Sequence, residues 1–127
     1  MGDHDRGPDG GDGVIVLVAD DEAQIAAVVA EVIADMGHRV HVAANGRHAL
    51  ELARARWPAL VVTDLMMPVL DGAGLIAALR AEAAGGWPAP AVILMTAAGP
   101  GAGADAVLAK SFDLAALEGL VARLLRG

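Results

Sequence analysis

The chain alternates short apolar runs with longer stretches in which apolar residues recur every three or four positions. VIVLVA (14–19) is unbroken and rich in β-branched residues, the pattern of a strand buried on both faces. Ile25, Val28, Val29, Val32, Ile33 and Met36 then make one stripe of a helix, and Gly37 follows where a helix C-terminus favours glycine. RVHVA (39–43) alternates, as a strand near a sheet edge does. Asn45-Gly46 predicts a turn into a helix that carries Ala49, Leu50, Leu52 and Ala53 and stops at Trp57-Pro58. ALVVT (59–63) predicts a third strand. A third helix, about Gly72 to Ala84, carries Leu75, Ile76 and Leu79 and is stopped by Gly85-Gly86 with Pro88 and Pro90. AVILMT (91–96) and AVLA (106–109) predict strands four and five. The last helix, about 112–126, carries Leu114, Leu117, Leu120, Val121 and Leu124.

Strand–helix alternation of this kind predicts an α/β fold, a doubly wound five-stranded parallel sheet with helices on both faces. Function in such sheets gathers at the C-terminal ends of the strands. Composition narrows the classes. The chain has 127 residues, 56% of them hydrophobic, with a mean hydropathy of +0.53, enough to bury a core. Residues 1–13 hold five Gly and four Asp and predict a flexible tail, leaving 14–127 as the domain. No apolar stretch approaches the roughly 20 residues that span a bilayer, and no signal-peptide pattern opens the chain, so a cytoplasmic domain without membrane contact is expected. The absence of cysteine excludes thiolate metal sites and a thiol nucleophile. A net charge of −7 without a basic patch argues against nucleic-acid binding.

The predicted strand ends carry chemistry. Strand one ends in Asp20-Asp21-Glu22, strand three in Asp64, strand four in Thr96 and strand five in Lys110. Taken singly, each has a plainer role: Asp20 or Asp21 as a helix cap, Thr96 as a satisfied strand-end hydroxyl, Lys110 as solvated surface. Taken together they ask for another account. Clustered carboxylates repel unless a cation neutralises them, and hard oxygen ligands without His or Cys suit Mg²⁺. A carboxylate can attack phosphorus to give an aspartyl phosphate, whose oxygens then need donors and positive charge. Lys110 is the only lysine beside eight arginines, and a compact ammonium is not readily replaced by a guanidinium.

The segments VLVADDEAQI (16–25), LVVTDLMMPVLDG (60–72), VILMTA (92–97) and LAKSF (108–112) resemble a response-regulator receiver domain, the CheY-like phosphoacceptor module of two-component signalling. The resemblance covers Val14 to Gly127. It implies a flavodoxin-like sheet in the order 2-1-3-4-5 and Asp64 as the residue phosphorylated by the phosphohistidine of a histidine kinase or phosphotransfer protein. It further implies that Mg²⁺ is held by Asp20, Asp21, Asp64 and the backbone carbonyl of Met66, whose side chain faces the path of the hydrolytic water. Thr96 and Lys110 would hold phosphoryl oxygens, and small Ala97 would leave access. Such a domain is not counted as an enzyme, although it promotes its own phosphorylation and dephosphorylation.

Three positions depart from the family pattern. AAGPGAGA (97–104) leaves eight residues for the crossover between strands four and five, where a helical crossover needs at least about 10–12. Eight extended residues reach about 26 Å, so the sheet can stay parallel with the crossover helix missing or reduced to a loop. An antiparallel fifth strand would instead carry Lys110 to the wrong edge. Val107 stands where the family has an aromatic residue, and Ser111 where it has proline, so a cis peptide after Lys110 is not expected. The altered face of strand four, strand five and the last helix is expected to meet a second copy or a downstream protein.

The leading expectation is therefore a phosphoacceptor that signals by protein contact, either standing alone, with no output domain after Gly127, or excised from a larger regulator. An interaction module that works without phosphorylation is the alternative, favoured by the altered face. A Mg²⁺-dependent phosphohydrolase ranks third, since 127 residues leave no room for a cap domain. Met36, Met66, Met67 and Met95 read as packing, His38, His41 and His48 show no zinc pattern, and the two Trp-Pro pairs read as helix-end packing.

Overall fold

In the computed structural model, residues 13–96 and 103–126 are described. The order is β1 (Ile15–Ala19), α1 (Ala23–Asp35), β2 (Arg39–Ala43), α2 (Gly46–Ala55), β3 (Leu60–Asp64), α3 (Gly72–Ala84), β4 (Ala91–Thr96), β5 (Ala106–Ala109) and α4 (Leu114–Arg126). The strands form one sheet in the order β2-β1-β3-β4-β5, every neighbouring pair parallel. All but Gly13 of the expected tail lies outside the described residues.

Strand periodicity divides the core in two. Val16, Val18, Leu60, Val62, Ile93 and Met95 face α1 and α4, meeting Val29, Ile33, Leu117 and Val121. Their chain neighbours Leu17, Ala19, Val61, Val92 and Leu94 face α2 and α3, meeting Ala49, Ala53, Leu75 and Leu79. This two-sided burial explains the unbroken apolar runs of β1, β3 and β4. Each fully buried Leu contributes roughly 1.5–3 kcal/mol.

Two local readings need correcting. Val28 is 44% exposed, because the buried stripe of α1 is centred on Ala26, Val29 and Ile33. Asn45-Gly46 is a helix start rather than a free turn: Asn45 Oδ1 accepts from His48 N at 2.8 Å and Gly46 is the first residue of α2. Asp71 and Asp113 cap α3 and α4 in the same way, through Gly74 N and Ala116 N. Gly37, with φ of 99°, does follow the end of α1.

The fifth strand is parallel, with Ile93 opposite Ala106 and Thr96 opposite Ala109. Asp105 pins its entry: its backbone N–H donates to Val92 O at 2.9 Å and its Oδ2 accepts from Val92 N at 2.8 Å. Among the described residues no helix lies between β4 and β5; residues 97–102 of that crossover, Ala97 included, lie outside them. No described peptide bond is cis.

Candidate functional site

The C-terminal ends of β1, β3, β4 and β5 meet at one edge of the sheet. Asp20 is fixed there by its own backbone, whose N–H donates to Ala43 O at 3.0 Å. Its Oδ1 accepts from Glu22 N at 2.8 Å, and its side chain is wholly buried. The N-cap of α1 is Glu22, with no side-chain cap bond, so helix capping does not account for Asp20 and Asp21. Asp21 is exposed and Asp64 is buried. One carboxylate oxygen from each of Asp20, Asp21 and Asp64 falls within 4.8 Å of the others.

Lys110 completes the cluster because β5 is parallel: its N–H donates to Thr96 O at 3.0 Å, which places the two residues side by side. Its Nζ lies 2.6 Å from Glu22 Oε1, 3.2 Å from Asp20 Oδ2 and 3.3 Å from Asp64 Oδ2. Thr96 is buried beside it. Asp21, Glu22, Asp64, Met66, Thr96 and Lys110 line a common cleft of about 500 Å³. The structure thus brings Asp21, Asp64, Thr96 and Lys110 to one opening, with Asp20 buried beneath. Met67 and Met95 are core residues, but the Met66 side chain is 72% exposed at the cleft and does not pack. A wider groove of about 780 Å³ lies at the opposite strand ends, lined by Arg80, Trp87, Pro90, Asp105 and Leu124. It has one long ion pair, Arg80 to Asp105 at 3.9 Å, and no converging titratable set.

Electrostatics follow from burial and crowding. Burial pushes the Asp20 carboxyl above its ordinary value, and the Asp64 charge adds to this, against the Glu22 N–H and Lys110. Burial pulls the Lys110 ammonium the other way, but its hydrogen bond to Glu22 and its ion pairs with Asp20 and Asp64 outweigh that. Lys110 is held above its usual range and is fully protonated at neutral pH.

These residues fit a hard divalent cation. The three clustered ligand residues are all carboxylates. Asp20 Oδ2 is buried and, although within ion-pair distance of Lys110, receives no hydrogen bond. Its compensation is the Lys110 charge alone, and a cation among three carboxylates would relieve both the lost hydration and the mutual repulsion.

The loop after Asp64 is folded back onto it. Leu65 N donates to Met95 O at 3.1 Å and Gly72 N to Leu65 O at 2.8 Å, while Thr63 Oγ1 donates to the Asp64 carbonyl at 2.9 Å. Within the loop, Leu70 N donates to Pro68 O at 2.8 Å across Val69, whose φ is +73°. That is a γ-turn on a β-branched residue, a strained conformation. Sequence reasoning gave no role to Glu22, Val69, Gly72 or Asp105. The acidic run 20–22 was a signal for Glu22; its place opposite the only lysine is a tertiary fact.

Comparison with known proteins identifies the fold and the family. The family model for the response regulator receiver domain matches residues 16–122. A probable transcriptional regulator, ycf27, of Porphyra purpurea is 37% identical over 119 residues, covering 87% of this chain and 47% of the relative. The receiver domain of the Francisella response regulator 1452 superposes with a TM-score of 0.79 at 30% identity, covering 90% of this chain and 98% of that one. The chemotaxis response regulator CheY4 of Vibrio cholerae superposes with a TM-score of 0.80 at 26% identity, covering 88% and 98%. The chain is a flavodoxin-like signalling module and belongs to the response regulator receiver domain family. It spans about half the length of the curated relatives it matches. Among the described residues no helix is long and apolar enough to cross a membrane.

Proposed function

We propose that this receiver domain is a phosphoacceptor and that Asp64 is its nucleophile. The observation that carries the reading is the meeting of Asp20, Asp21 and Asp64 within 4.8 Å, with the Lys110 ammonium 3.3 Å from Asp64. An Asp64 oxygen attacks the phosphorus of a phosphohistidine presented by a histidine kinase or phosphotransfer protein. The new O–P bond forms as the P–N bond breaks, and the imidazole leaves with its electron pair and takes up a proton. Lys110 and the Thr96 hydroxyl hold phosphoryl oxygens. Asp20, Asp21, Asp64 and the Met66 carbonyl would hold Mg²⁺, which supplies positive charge between the incoming phosphoryl group and the carboxylates. Water later attacks phosphorus and returns Asp64 and inorganic phosphate, along a path beside the exposed Met66. The modified domain then signals by contact, through the face of β4, β5 and α4, where Val107 is 46% exposed. A second copy or a downstream protein is the partner there.

Intact-mass analysis after incubation with Mg²⁺ and a small phosphodonor tests this reading. One added phosphoryl group is expected, absent without Mg²⁺ and absent in Asp64→Asn. No adduct from that donor or from a panel of histidine kinases would favour a module that works without phosphorylation.

A further inference from the structure

We propose that Glu22 is a positioning residue for Lys110, holding the ammonium at the cleft mouth when a divalent cation takes over Asp20 and Asp64. The inference rests on the Mg²⁺ reading above and adds a residue that reading does not use. Among the described residues Lys110 faces three carboxylates at once, and the shortest contact is to Glu22, at 2.6 Å against 3.2 Å and 3.3 Å to Asp20 and Asp64. The three are not equivalent. Asp20 and Asp64 belong to the converging acidic set, whereas Glu22 stands outside it and is 59% exposed.

Without a metal, Lys110 compensates Asp20 and Asp64, so it competes with any cation for them. A cation that binds there repels the ammonium and withdraws two of its three partners. Glu22 is the partner that remains. It lines the same cleft as Asp64 and Thr96, so an ammonium retained by Glu22 stays within the site and can still meet an incoming anion. Removing Glu22 returns Lys110 more fully to Asp20 and Asp64. Competition with the cation then rises, and Mg²⁺ binding weakens through Lys110.

The test is a cycle of Mg²⁺ titrations, followed by backbone amide NMR, on wild type, Glu22→Gln, Lys110→Met and the double variant. Gln keeps the backbone N–H that Asp20 Oδ1 accepts from, and the side chain is exposed, so the fold is retained. Glu22→Gln is expected to weaken Mg²⁺ binding about two- to fivefold, the range for an exposed ion pair, and Lys110→Met to strengthen it. In the Lys110→Met background the Glu22→Gln effect is expected to vanish. An effect of equal size in both backgrounds would show a direct field of the carboxylate on the cation and overturn the role. So would no effect in either. Wild-type protein that binds no Mg²⁺ overturns the metal reading itself, and this role with it.

Discussion

A Cβ atom placed on Gly72 would lie 2.3 Å from the carbonyl oxygen of Asp64 and 2.9 Å from Leu65 Cα. Both obstacles are backbone, so neither can rotate away. The first residue of α3 therefore packs directly on the peptide that carries the proposed nucleophile, and the Gly72 N–H seals the contact by donating to Leu65 O.

Gly72→Ala is accordingly expected to cost about 2–3 kcal/mol of stability, as overpacking of a buried contact does. It is also expected to displace Asp64, so urea unfolding and Mg²⁺ titration should both respond. Unchanged Mg²⁺ affinity in a destabilised variant would mean that the contact serves the fold alone.

Val69 offers the opposite change. Its φ of +73° is strained for a β-branched residue, and its side chain is exposed. Val69→Gly removes that strain but gives the unfolded chain more freedom, and the balance is expected to be a gain of about 1 kcal/mol. Chemical denaturation reads this directly, and a loss of stability would show that the Val69 side chain makes a needed contact.

Asp20 should trade stability for binding. Burial raises its folded pKa above the ordinary 3.8, so its charged form is disfavoured in the fold. For a raised carboxyl, the stability contribution is complete below the unfolded pKa and is lost as pH rises through the folded one. In chelator-treated protein at pH 7, Asp20→Asn keeps the acceptor for Glu22 N and is expected to be more stable than wild type by about 0.5–2 kcal/mol. The difference should close as pH falls toward 3.8. Added Mg²⁺ should stabilise wild type and leave the variant little changed. Equal stabilisation of both would remove Asp20 from the ligand set.

The tryptophan pair sits at the other end of the sheet. Trp57 and Trp87 stack with ring centroids 5.5 Å apart, and Trp57 Nε1 donates to Pro88 O at 2.7 Å. This ties the chain after α2 to the chain after α3, the helix-end packing expected of the Trp-Pro pairs. Trp87→Ala is expected to cost about 1–2 kcal/mol without changing Mg²⁺ affinity. A change in affinity would reveal coupling between the two ends of the sheet.

Much of this molecule was legible along the chain because burial writes itself in periodicity. The runs 14–19, 60–63 and 91–96 are continuous because both sheet faces are covered, and the stripe at Leu75, Ile76 and Leu79 is the buried side of α3. Strand ends followed from those runs, and with them the positions of Asp20, Asp21, Asp64, Thr96 and Lys110. The parallel course of β5 was expected from the strand–helix alternation and the family resemblance, although eight residues of Gly-rich crossover by themselves allow either course. Pairing with β4 from Ile93 to Thr96 decided it and set Lys110 beside Thr96. Sequence could not show that Glu22, 88 positions from Lys110, makes that residue's shortest ion pair. It could not show that Gly72 must lack a Cβ or that Val69 bears a positive φ. Periodicity records which side of an element is buried. Ion pairing, backbone contact and turn strain depend on distances between elements, and only the folded chain fixes those.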